Sequence, residues 1–109
     1  MKLLLTIIQD ADAQSLQKAL VSSGFGATKL ASTGGFLREG NTTLLVGVED
    51  HEVERVKRII HETCRERVKA MTPNPPLADM QEGYLGQPLE VTVGGAVVFV
   101  LGVEQYEKL

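Results

Sequence analysis

Three short runs of this chain are apolar at odd and even positions alike. They are Leu3, Leu4, Leu5, Ile7 and Ile8; Leu44, Leu45, Val46 and Val48 within 42–48; and the unbroken stretch from Ala96 to Leu101. Successive side chains of a strand point to opposite faces, so a run without a polar phase needs cover on both sides. One layer of helices covers one face of a sheet. The other face must then be hidden by further copies of the chain, which points to a homo-oligomer, most simply a closed ring.

Two helices are legible between these runs. Asp10 or Asp12 is placed to cap the first, whose inner face is Ala13, Leu16 and Leu20. Ser22, Ser23 and Gly24 end it, with Gly24 suited to a left-handed C-terminal cap. Asp50 is placed to cap the second, which buries Val53, Val56, Ile60 and Cys64. Its opposite face carries Glu54, Lys57, Arg58, His61, Glu62 and Arg65, with Glu54 and Arg58 at a favourable i,i+4 spacing.

A second strand is expected over residues 25–32, broken by Thr33, Gly34 and Gly35, and a third over 42–48. Residues 71–88 contain Pro73, Pro75, Pro76, Gly83, Gly86 and Pro88, and read as a long irregular segment, functional or mobile. Leu89, Val91 and Val93 then alternate with Glu90 and Thr92. Gly94-Gly95 suits a two-residue hairpin turn into 96–101, with a β-bulge in one longer strand as the competing interpretation. The order is βαββαβ, the last unit possibly a hairpin. This is an α+β, ferredoxin-like arrangement with two crossover helices on one face of a four-stranded sheet.

The 109 residues suit a single domain. A formal charge of −3, from 11 basic and 14 acidic residues, argues against a nucleic-acid polymer as partner. Cys64 is the only cysteine, so no disulfide framework is possible; with no His or Cys partner at ligand spacing, a metal site is not expected either. The apolar run near Met1 is short and broken by Thr6, then Gln9 and Asp10. It is neither a signal peptide nor a membrane span, and a cytoplasmic location is the expectation.

No nucleophile–base set is visible. Ser15, Ser22, Ser23 and Ser32 have no nearby histidine, and His51 and His61 read as solvent-facing helix residues. The unusual residues concentrate instead between Ala27 and Thr43. Glycines at 34, 35 and 40 allow tight turns whose N–H groups can form an anion nest. Phe36 could stack on a base, Arg38 could pair with phosphate, and Thr28 and Asn41 offer hydrogen-bonding groups. Gly47, inside a strand, fits close approach by a ligand or another backbone. Each has a plainer alternative: a hairpin connection, an aromatic plug of the core, a solvated charge, a turn residue.

These residues resemble the PII-like cyclic di-AMP receptors of bacteria. The resemblance begins at Ile7-Ile8-Gln9-Asp10 and is densest in Ala27-Thr28-Lys29-Leu30-Ala31, Thr33-Gly34-Gly35-Phe36-Leu37-Arg38 and Gly40-Asn41-Thr42-Thr43. It returns in Val93-Gly94-Gly95-Ala96 and Val98-Phe99-Val100. It implies a ferredoxin-like homotrimer with three equivalent pockets at subunit interfaces, and a non-catalytic sensor with no cofactor beyond its cyclic dinucleotide ligand. The implied ligand-binding set is Ala27, Thr28, Gly35, Phe36, Leu37, Arg38, Asn41 and Gly47. Gly35, Phe36 and Leu37 would supply amides and apolar contact, and Asn41 and Gly47 would line the base pocket. Binding would reposition loops and change the surface shown to an unidentified downstream protein. That family usually carries an arginine or similar polar residue near the position of Gly26; Lys29 or Arg38 would have to compensate here. The alternatives are a trimeric interaction module working through 71–88, with no nucleotide or a different one, and a small phosphatase built on Arg38 and Asn41.

Overall fold

The computed structural model describes residues 1–32, 40–71 and 89–109. Its centre is β1 (Lys2–Gln9), hydrogen-bonded along its length to β3 (Asn41–Val48) on one side and β6 (Ala96–Gly102) on the other, both antiparallel. β2 (Thr28–Ser32) adds to the far side of β3, giving the order β2-β3-β1-β6. Helices α1 (Asp10–Ser22) and α2 (Val53–Cys64) pack on one face. This small α+β fold is compatible with the ferredoxin-like arrangement expected from the sequence. Among the described residues no helix is long and apolar enough to cross a membrane.

The core lies between helices and sheet. Leu4 and Ile8 of β1 and Leu44, Val46 and Val48 of β3 meet Ala13, Leu16 and Leu20 of α1 and Val56, Ile60 and Cys64 of α2. Leu4, Ile8, Leu16, Leu20 and Leu44 are fully buried, and each contributes about 1.5–3 kcal/mol through removal of its side chain from water. α1 stops as its sequence implies. Gly24 adopts a φ of +88°, its N–H donates to the Val21 carbonyl, and the Phe25 N–H reaches back to the Leu20 carbonyl. Phe25 thereby enters the core instead of starting a strand, with the Arg55 guanidinium 5.2 Å from its ring centroid.

Three local expectations are corrected. Neither Asp10 nor Asp12 caps α1: the N-cap is Gln9, and both carboxylates are engaged elsewhere. Asp50 does not cap α2, because a 3-10 turn (Asp50–Glu52) precedes it, closed by reciprocal bonds between Glu49 and Glu52. Glu54 contacts Lys57, one turn away at 3.4 Å.

The largest correction concerns Gly94-Gly95. It is not a hairpin turn, because the strands on either side of it are not partners. β5 (Leu89–Val93) pairs antiparallel with β4 (Arg67–Met71), a strand the sequence analysis did not expect, in a separate two-stranded sheet. Among the described residues β6 pairs with β1 alone. Both glycines have positive φ, +87° and +102°. The Gly94 N–H donates to Gln9 Oε1 at 2.7 Å, and the Gly95 N–H to the Cys64 carbonyl at 2.5 Å. The turn chemistry was read correctly and the pairing was not.

Burial pushes the Cys64 thiol up to about 12, with the nearby Asp12 charge adding to the rise. Cys64 in the folded protein is therefore expected to resist a thiol-modifying reagent at pH 8, and to react at full stoichiometry once denaturant is added. Rapid native-state labelling would contradict this burial.

Candidate functional site

The register of the four-stranded sheet assigns every strand residue to a face. Leu4, Leu44 and Val46 belong to the helix-packed core, so their chain neighbours Leu3, Leu5, Thr43, Leu45 and Gly47 lie on the open face. One row across it runs Thr28, Leu45, Leu5, Phe99. The next row on one side is Leu30, Thr43, Ile7, Val97; on the other lie Gly47, Leu3 and Leu101. Leu30, Phe99 and Leu101 are 43%, 42% and 45% exposed. The open face is thus apolar and partly uncovered in a single copy, as expected from runs with no polar phase.

Thr28, Asn41 and Gly47 share this face. Asn41 is buried, paired in register with Gln9 at the top of β1. Gly47 is exposed near the other end of β3, and six steps along the strand separate it from Asn41 by roughly 20 Å. Within one chain the two positions do not border the same base-sized pocket. Among the described residues a Cβ at Gly47 would meet the Met1 Cε alone, at an ordinary 3.6 Å, so no described backbone of the same chain requires glycine there. Ala27 packs against the helix-side core, leaving its backbone as the part available to a ligand. Gly35, Phe36, Leu37 and Arg38 lie outside the described residues.

Gly40 marks the return of the chain into β3. Its carbonyl accepts the Asp10 N–H at 2.9 Å, and the Thr42 hydroxyl donates to Asp10 Oδ1. A Cβ on Gly40 would fall 2.6 Å from Asp10 Oδ2, so glycine here permits a close approach. A Cβ on Gly26, by contrast, would meet no heavy atom of the described residues within 4 Å, and its φ is not positive.

Phe99 is the candidate the sequence analysis missed. It is partly exposed and stands on the same row of the open face as Thr28. Its face was unreadable because every residue from Ala96 to Leu101 is apolar. On the helix side, a cleft of about 500 Å³ between α2 and β6 includes Lys57, His61 and Arg65 in its lining and none of the candidate residues. Among the described residues no group of three or more His, Cys, Asp or Glu is placed to hold a metal ion.

A known family and a solved structure resemble this chain. A family model described as cyclic-di-AMP receptor matches residues 1–109. A solved structure of a functionally unknown protein from Pediococcus pentosaceus ATCC 25745 is 40% identical, with a TM-score of 0.81. The match covers 99% of this chain and 96% of that one.

Gly26 and Gly94 are expected to differ sharply on substitution. Gly26→Arg should leave stability within about 0.5 kcal/mol in a denaturant melt, as for an exposed site with free space. Gly94→Ala should cost several kcal/mol (roughly 2–4), because it combines positive φ with a clash against the Cys64 and Arg65 carbonyls. Equal effects would show that the close packing at Gly94 is wrong.

Proposed function

The chain belongs to the cyclic-di-AMP receptor family, and from that premise we propose that it is a non-catalytic sensor of cyclic di-AMP. In this reading it is a cytoplasmic, PII-like homotrimer whose pockets lie between neighbouring copies. The full-length family match carries the proposal, and the open face supports it. Leu30, Phe99 and Leu101 are apolar groups that further copies would cover. Asn41 and Gly47 stand at opposite ends of β3, so both can border one ligand when the Asn41 end of one copy meets the Gly47 end of the next.

The residues divide the work by chemistry. Thr28 offers a hydroxyl from β2, Asn41 a carboxamide for a base edge, and Phe99 a ring face for stacking. Backbone amides of Gly35, Phe36 and Leu37, with the Arg38 guanidinium, would face the phosphates. The family's usual polar side chain near position 26 is missing, which removes one charge-assisted contact worth on the order of 1.5–3 kcal/mol. Binding shifts the protein toward the loop arrangement that contacts the ligand best, and so changes the surface shown to a downstream protein.

Calorimetric titration of cyclic di-AMP should give saturable binding near one ligand per subunit. Phe99→Ala should weaken it by roughly 5- to 100-fold, the scale of base–aromatic stacking, and Thr28→Ala by a smaller factor. Gly26→Arg should tighten it by about 10-fold or more if it restores a phosphate contact. Absence of heat from folded protein at high concentration would remove the ligand assignment. Sedimentation showing a monomer throughout would remove the shared pocket.

A further inference from the structure

Four consecutive residues at the turn from β1 into α1 hold two parts of the molecule that belong to different sheets. Gln9 ends β1, and its Oε1 accepts the Gly94 N–H at 2.7 Å in a buried bond. Asp10 opens α1; its N–H donates to the Gly40 carbonyl and its carboxylate accepts the Thr42 hydroxyl. Asp12, whose side chain is only 7% exposed, receives the Arg67 guanidinium at 2.8 Å and 3.4 Å through its two oxygens. Arg67 in turn donates to the Arg65 carbonyl at 3.1 Å.

Gly40 and Thr42 flank Asn41, at the start of β3. Arg67 is the first residue of β4, and Gly94 follows the last residue of β5. The same short junction thus grips the Asn41 end of the open face and the base of the β4–β5 ribbon. Both grips are tight: a Cβ at Gly40 would lie 2.6 Å from Asp10 Oδ2, and one at Gly94 would lie 2.5 Å from Arg67 Nη1. The contacts are also strong ones. A two-point guanidinium–carboxylate pair with a nearly buried acid resists shear, and its cost of separation is high. Bonding to Asp12 raises the Arg67 pKa above its ordinary value, against the effect of desolvation.

We propose that Gln9, Asp10 and Asp12 are positioning residues that couple the Gly40–Thr42 segment to the β4–β5 ribbon, so that displacement at one is felt at the other. For the ligand that drives it, this rests on the sensor reading above; the coupling itself is a property of the empty chain. Filling a cleft beside Asn41 fixes Gly40 and Thr42 against Asp10. The first turn of α1 is then held in one position, and with it the Asp12–Arg67 and Gln9–Gly94 anchors of the ribbon.

Amide hydrogen exchange on the full chain tests this without ligand and then with it. Thr42→Val keeps the shape of the side chain and removes its bond to Asp10. It should speed exchange at Gly94, at Val68–Ala70 and at Glu90–Val93 by at least about threefold, as for a loosened cooperative unit. Thr42→Ser, which retains the hydroxyl, should restore the original rates. Should Thr42→Val fail to fold, Asp10→Asn carries the same measurement. In the unaltered protein, saturating cyclic di-AMP should slow ribbon exchange. Asp12→Asn should still bind the nucleotide but lose most of that slowing. Effects confined to residues 40–43 in Thr42→Val overturn the coupling whatever the ligand does, as does binding that leaves ribbon exchange unchanged. If Thr42→Val reaches the ribbon while cyclic di-AMP fails to bind, the coupling stands and the sensor reading falls.

Discussion

Everything in this protein is referenced to β1, a strand hydrogen-bonded on both edges and apolar on both faces. Its even-numbered residues Leu4 and Ile8 are sealed beneath the two helices. Its odd-numbered residues Leu3, Leu5 and Ile7 face outward from the helix layer, between Thr43, Leu45 and Gly47 on one side and Val97, Phe99 and Leu101 on the other. A one-residue slip would send the whole helix-facing set to the wrong side. That register therefore fixes which residues reach the open face, and with them the composition of any site formed there.

The polar groups follow from the same strand. Gln9 is where β1 stops, and Asp10 and Asp12 just after it supply two carboxylates at the start of a helix, where negative charge complements the macrodipole. Those carboxylates are spent on tertiary bonds instead of capping. Asp12 is the costly one, since a nearly buried acid without Arg67 would be left uncompensated. The charge pair ties α1 to a strand 55 positions further along the chain, which makes it an orienting contact between layers.

What could be read from residues alone was whatever depends on neighbours in sequence. The stripe Ala13, Leu16, Leu20 and the stripe Val56, Ile60, Cys64 both lie in the core, because helical periodicity is local. Gly24 ends α1 by the bond pattern its position implied. Failures came where the partner was distant. Arg67–Met71 carries charges at alternate places and no strong strand signal; it is extended because β5 lies beside it. Gly94-Gly95 needed left-handed backbone, which the sequence showed, but what draws the two N–H groups is Gln9 and the Cys64 carbonyl, which it did not. Thr28 and Gly47 could be placed in strands, but Asn41 fell outside the third strand expected over 42–48, and the spacing of all three along one face required the register. Phe99 escaped notice because a run lacking any polar residue has no phase to read.

That same lack of phase gives β6 a further property. Among the described residues it is the last strand of its sheet, and Ala96–Gly102 contains no charge and no proline. Natural proteins ordinarily protect such a margin with lysines or irregularities, since bare main-chain donors and acceptors recruit any extended segment they meet. A margin in this state is chemically complementary to any extended backbone that approaches it, whether from elsewhere in the chain or from another copy.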